Sequence, residues 1–378
     1  MNLISDIRNE LSAIFYDPGA LLLLVVALPL YTIIYSTAYG SEVVRDVPIC
    51  VVDDDKTSSS RGLIEGVMSG PNTTLSYNAT NLAEAQELFY GNKIFAIVYI
   101  PNGFERCLLS NSQANIGVIL DGSHLLLYRQ VLEQVASDAL TKGATVELMR
   151  LTKMGEAPQS VMSVVEPIVL DIHHMYNKAL GYGSFVMPSV VMVIIQQTLV
   201  IGLSMIAARR RQRGLNIERL TASSITAKVL VYMLIYGINL TIILVVVWPI
   251  FGFPFNANTT DVILFLVLYI IATLSLGMVV SQLFRQREAP LMLLLWSSVP
   301  ILLLAGVSYP REAYPEWIYL LGRILPSSSG VDGFIAIASR GATLDEVFNE
   351  LYTLAILTIV YTSLAIAVNK IKINSRKF

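Results

Sequence analysis

Charge is what this sequence has least of: 14% of its 378 residues are Asp, Glu, Lys or Arg, against about 25% in a soluble domain. The shortage excludes an ordinary soluble enzyme. It is also uneven, because the runs 19–39, 184–208, 229–251, 262–284, 290–307 and 351–368 hold no Asp, Glu, Lys, Arg or His. All 26 basic and 28 acidic residues fall between those runs, so one chain uses two solvents. No G-x-x-x-x-G-K-[ST] phosphate loop occurs, which excludes ATP hydrolysis through that motif. Neither HExxH nor GxSxG is present and no His lies in an apolar run, so a membrane-integral enzyme lacks its catalytic pair. A proton- or sodium-driven carrier normally places ionisable groups at membrane depth, and these runs offer none.

Each run is long enough, at 1.5 Å per helical residue, for a bilayer core of about 30 Å. The sequence therefore predicts an α-helical membrane protein with six transmembrane helices. The first run, 19–39, exceeds the apolar core of a signal peptide and no small-residue cleavage motif follows it, so it reads as an anchor. Basic residues fix the orientation. Arg209, Arg210, Arg211, Arg213, Arg219 and Lys228 follow the second run, Arg285 and Arg287 the fourth, and Lys370, Lys372, Arg376 and Lys377 the sixth. Six passages place all three segments, and both termini, on the cytoplasmic side.

The predicted layout follows. Residues 1–18 form a cytoplasmic interfacial helix, with Leu3, Ile4, Ile7, Leu11, Ile14 and Phe15 on one face. After the first membrane helix, 19–39, residues 41–182 form an extracytoplasmic α/β domain. Residues 184–369 carry five membrane helices, a cytoplasmic loop at 209–228 and an external re-entrant or interfacial segment at 308–348; 370–378 are a cytoplasmic tail. Within the external domain, strands are expected at 48–52, 94–100 and 114–120 and helices at 58–68, 81–90, 125–153 and 158–180. Gly306 precedes Pro310, Pro315 and Pro326, which bound short helices around 315–326. Gln196, Gln197, Asn239 and Gln282 are the polar side chains of the spans, placed to hydrogen-bond between helices.

The cysteines are only two, Cys50 and Cys107. An oxidising compartment permits a bridge, but Cys50 ends an apolar strand and reads as a small buried hydrophobe. Asp53, Asp54 and Asp55 sit at a strand end; a capping turn before the next helix fits them better than a cation site. His173 and His174, near Asp171, point about 100° apart on a helix and do not converge on one ion.

The segments "VPICVVDDDKTSSSRGLI" and "FAIVYIPNGFERCLLS" carry a likeness. With Asp53, Asp55, Ser60 and Arg61 in the first and Pro101, Phe104, Glu105 and Arg106 in the second, they resemble the external domain of type-2 ABC exporter permeases. The likeness extends to "RNELSAIFYDPGALLLLVVALPL" and "LLLLAGVSYPREAYPEWIYLLGRILPSS", so it covers essentially the whole chain in order. It implies a bacterial inner-membrane permease subunit that exports an amphipathic or apolar cargo, of lipid, drug or peptide class. It further implies a separate ABC ATPase holding ATP and Mg, with no cofactor in this chain, a second permease, contact with membrane lipid, and no nucleic acid. An adaptor in the periplasm is left open.

In that family the loop after the second span carries a coupling helix that docks on the ATPase. Here "RRRQRGLNIERL" keeps Gly214, Glu218 and Leu220 but has Arg209, Arg210, Arg211 and Arg213 where acids are usual, and leucine for the usual threonine. The departure implies a heterodimer whose other half keeps the usual motif, with a homodimer as the alternative. A receptor or assembly scaffold with an external binding domain is the competing function.

Overall fold

Helices in this chain start behind short polar caps such as Thr57, Asn81, Thr221 and Asn258, or at a proline. The computed structural model describes residues 3–110, 112–154, 172–214 and 218–375. Helix α1, Leu3–Phe15, is followed directly by α2, Pro18–Ala38. Asp17 caps α2 by accepting the N–H groups of Gly19 and Ala20 at 3.1 and 3.3 Å, with Pro18 supplying a preset first residue. By spatial clustering the chain forms two units, Met1–Glu42 with His174–Phe378, and Val43–His173.

The Val43–His173 unit is built on β1 (Val47–Asp53), α3 (Ser58–Ser69), β2 (Thr73–Asn78), α4 (Leu82–Tyr90), β3 (Ala96–Ile100), α5 (Phe104–Leu109), β4 (Gly117–Leu120) and α6 (Leu125–Lys153). Its sheet has the order β2-β1-β3-β4, with β1 parallel to both neighbours and β4 antiparallel to β3. Val47, Ile49 and Val51 face one core and Cys50 and Val52 another, as the period of two requires. Strand β2 escaped the sequence reading because TTLSYN has a single aliphatic residue on an edge, too little for an alternation signal. Cys50 and Cys107 are both free thiols. Of the helix expected over 158–180, residues 158–171, with Asp171, lie outside the described ones, and 172–180, with His173 and His174, are turns and irregular chain rather than helix.

The second part of the helical unit starts with α7, Tyr182–Gln212, and α8, Ala222–Phe251. They are followed by α9 (Thr259–Leu283), α10 (Ala289–Trp296), α11 (Ser298–Leu304), α12 (Glu316–Arg323), α13 (Pro326–Phe334) and α14 (Phe348–Ser375). Glu42 caps α7 through the Ser184 N–H at 3.0 Å and hydroxyl at 2.7 Å, and its carbonyl takes the Tyr182 N–H. The two ends of the 43–180 insertion are thus tied at one point of the helical unit. Helix α7 is apolar all round and buried along most of its length, packed by α2, α9, α10 and α13.

Among the described residues five helices are long and apolar enough to cross a membrane, rather than six: α2, α7, α8, α9 and α14. The fifth apolar run, 290–307, is divided into α10 and α11. The reason is Pro300, whose ring in a continuous helix would strike the Trp296 carbonyl and whose nitrogen has no proton to donate. At two other prolines the helix widens instead, while Pro188 sits inside α7 with no such turn. The π-helical turns Leu22–Ala27 and Ile243–Val247 immediately precede the turns that hold Pro29 and Pro249, re-satisfying the freed backbone without a break. Helices α9 and α14 run parallel. Ser275 meets Thr362 at 2.9 Å, and the Gln282 amide donates to the Ala365 carbonyl at 2.8 Å. The chain between them therefore returns the full length of the bundle, through α10 to α13.

That return is held by side chains from the spans. Helix α13 is buried along nearly its whole length and begins near the midpoint of the 31-residue α7, where Gln196 Oε1 accepts the Ser327 N–H at 2.7 Å. The rings of Tyr269 and Phe265 lie against Gly330 and Gly333, where a Cβ would come within 2.3 and 2.4 Å of ring atoms. Asn239 donates to the Leu24 carbonyl at 3.0 Å, so three of the four span amides bridge helices as expected. The fourth, Gln197, has an amide nitrogen with no partner among the described residues. Replacing Gln196 by Leu orphans a buried N–H and should cost about 1 to 3 kcal/mol, seen as a thermal transition lowered by several degrees in detergent. Gln197→Leu should leave that transition nearly unchanged; equal losses in the two variants would show that the Ser327 contact is not what matters.

Candidate functional site

Charge returns to the helical unit at one end, where α1, the end of α7, the 209–228 loop and the start of α8 meet. On α1, Asp6, Glu10 and Ile14 share a face and are buried. The amphipathic reading of this helix holds with a difference: the polar stripe packs on α8, while Ile4, Phe15 and Tyr16 stay 80, 61 and 77% exposed. Glu10 Oε2 accepts from Lys228 Nζ at 2.7 Å and Arg210 at 3.2 Å, and Oε1 from the Tyr232 hydroxyl at 3.2 Å. Glu218 accepts from the same Lys228 at 3.3 Å, from Arg210, and from the Ser224 hydroxyl. Two acids and two cations thus alternate in a closed ring. Burial works against ionisation of Glu10, but Lys228 and Arg210 outweigh it and hold its carboxyl below the ordinary value. One turn earlier, Asp6 accepts the Ser223 hydroxyl at 2.6 Å.

A second acid anchors the same end. Asp17, fully buried, takes Arg287 at 2.6 and 3.0 Å and Arg209 at 3.2 Å. Burial would raise its pKa, yet the hydrogen bonds from Arg287 and the Ala20 N–H, with the charges of Arg287 and Arg209, leave it lowered.

The arginines read as a docking surface are therefore mostly turned inward. Arg209 and Arg210 serve α1 and α2, and Arg211 donates to the Ser281 and Phe284 carbonyls at the end of α9. Arg213 is the exposed member, with no ion pair among the described residues, and Gly214 follows it at a φ of 69° as the turn out of α7. Leu220 and Glu218 are fastened to α14 by Asn369, which accepts the Leu220 N–H at 3.1 Å and donates to the Glu218 carbonyl at 3.0 Å. Residues 215–217 lie outside the described ones. A cavity of about 630 Å³ opens here, lined by Asp6, Asn9, Glu10, Tyr16, Arg213 and Glu218 among others.

The motif residues of the Val43–His173 unit have an architectural role. Asp55 does not cap the helix that follows it. It accepts the Gly103 and Glu105 N–H groups at 2.7 and 2.9 Å at the head of α5. Glu105 in turn accepts the Ser59 N–H at 3.0 Å and the Ser58 and Ser59 hydroxyls at the head of α3, whose own cap is Thr57 with Ser60. The two helix starts cap each other, and the hydroxyl and N–H donors hold both carboxyls below their ordinary values. Asp53 accepts the Asp55 and Lys56 N–H groups and the Ser60 hydroxyl, and Arg61 donates to the Lys56 carbonyl. Pro101 ends β3, and Phe104 is buried with Leu63 and Ile100.

In the segment after α11, Gly306 turns at a φ of 81° with the Arg311 stem against it. Pro310 precedes a short turn, Arg311–Ala313, and Pro315 and Pro326 open α12 and α13. Arg311, nearly buried, donates to Asp332 and, at 3.1 Å, to the Ser328 carbonyl, and lies 5.0 Å from the Tyr319 ring centroid. Sequence reading missed this pair and the partners Glu10, Asp17, Lys228 and Arg287. In the sequence, Lys228 and Arg287 read only as topology signals. The signal in the sequence is their clustering: Asp6, Glu10 and Asp17 fall in one short segment, opposite in sign to the basic 209–228 loop.

The model of the ABC-2 family transporter proteins matches residues 20–367. The probable multidrug ABC transporter permease YbhR of Escherichia coli K12 is 24% identical over 97% of this chain and 98% of its own length. The related permease YbhS of the same organism is 22% identical over 84% and 83%. The inner membrane transport permease YhhJ of Escherichia coli K12 is 24% identical over 70% and 69%. A family match that runs from the first membrane helix almost to the end of the last makes this chain a member of the ABC-2 transporter family.

Proposed function

We propose that the chain is the membrane-spanning permease subunit of an ATP-driven exporter that moves an amphipathic or apolar cargo out of the cytoplasm, powered by a separate ATPase and completed by a second permease, preferentially a related one. The observation that carries this reading is the family match over residues 20–367. Relatives named multidrug permeases support the cargo class, as do spans whose middles carry amides, hydroxyls and aromatic rings but no charge. Six passages are proposed, the fifth made in pieces by α10 to α13. The parallel course of α9 and α14 supports it, because two neighbouring helices of one direction need a return between them. The charged end then faces the cytoplasm, where Arg213 and the cavity beside α1 form the approach for the ATPase, and 43–173 lies outside.

Purified alone, the chain should turn over no ATP; co-expressed with an ABC ATPase from a neighbouring gene, it should raise that enzyme's turnover. ATP hydrolysis by the isolated chain above a mock preparation, or an ATPase indifferent to it, would remove the exporter reading. Topology is checked by single cysteines in a chain without Cys50 and Cys107. An impermeant thiol reagent added outside should reach Ser76→Cys and Thr260→Cys but not Gln212→Cys or Asn374→Cys. Labelling of Asn374→Cys alone among the last two would mean five passages.

A further inference from the structure

The ring at the charged end joins four pieces of chain through buried charge. Glu10 comes from α1, Arg210 from the end of α7, Glu218 from the loop and Lys228 from α8, and each cation touches both acids. The side chains of Glu10 and Lys228 are 3 and 6% exposed, so neither is available to a docking partner. Salt bridges of this kind are rigid because a charge withdrawn from its counter-charges in a water-poor place is left unpaired. The loop has its own second tether, Asn369 on α14, whereas the polar links of α1 to the loop and α8 are this ring, the Asp6 to Ser223 bond and the contact of Arg210 with the Asn9 carbonyl, beside the packing of α1 on α8.

We infer that the Glu10–Lys228–Glu218–Arg210 ring locks α1 to the 209–228 loop, so that the two move as one body when the ATPase acts on either. Glu10 and Lys228 are positioning residues for energy coupling, not contacts to the ATPase. This deepens the permease reading above and rests on it. It assigns to the basic loop an inward task that the arginine-for-acid exchange makes possible: Arg210 completes the ring as only a cation in that place can.

The test uses the full complex of this chain with its ATPase and second permease in lipid nanodiscs, with Cys50 and Cys107 replaced. The double variant Glu10→Gln/Lys228→Gln removes one acid and one cation together, so no charge is stranded and the Arg210–Glu218 pair stays. Stimulated ATP turnover should fall on the order of fivefold, a typical coupling factor, with the KM for ATP unchanged and the complex still assembled. Adding Asp6→Cys/Ser223→Cys, one turn away, supplies a covalent tether in place of the ring; oxidised, it should restore turnover, and reduction should remove it again. Full stimulation in the double variant would overturn the inference. So would a disulfide that forms, as judged by loss of free thiol, without restoring turnover, since the ring would then serve folding alone. A wild-type complex in which this chain leaves the ATPase unaffected would instead sink the permease reading itself.

Discussion

Hydrocarbon gives the polypeptide nothing to hydrogen-bond with, and most of this structure follows from that one constraint. A backbone group that leaves the helical ladder inside the helical unit has to find a partner within the protein. Proline makes the requirement visible. At Pro29 and Pro249 the helix widens for one turn and continues; at Pro300 it stops, and the broken run needs others to close its ends. Gln196 closes the start of α13, and the Leu304 carbonyl at the end of α11 takes the Ser328 hydroxyl at 3.2 Å. Two of the buried span amides, Gln196 and Asn239, thus serve backbone groups where helices are interrupted or widened.

The same constraint governs charge. Acids and cations gather at the end of the helical unit and are matched there, two acids to two cations around Glu10, and Asp17 between Arg209 and Arg287. A surface of free arginines would invite any anion. Matched inward, the same residues fix the first helix, the loop and the ends of three spans to one another.

In the Val43–His173 unit, where water is available, the task is different. Asp55 and Glu105 exchange caps between α3 and α5, so the acidic turn and the Phe-Glu-Arg segment are two halves of one joint. Their presence as a pair in the sequence reflects that geometry and calls for no ligand.

Sequence by itself determined the class of the molecule. Runs without charge set the helices α2, α7, α8, α9 and α14, since a helix of that length and polarity has one stable surrounding. Period-two and capping signals located β1, β3, α3 and α4. The likeness carried by Asp53, Asp55, Pro101 and Glu105 pointed to the family that the match over 20–367 establishes. Tertiary structure alone decided the fate of 290–307, because composition does not say whether a helix survives Pro300 or divides there. It also decided which way the arginines face: Arg210 and Glu10 are 200 residues apart in the chain, and no local pattern ties a basic loop to an acidic stripe on a distant helix. Periodicity records which face of a segment is apolar; what that face or its opposite is pressed against is set by the rest of the chain.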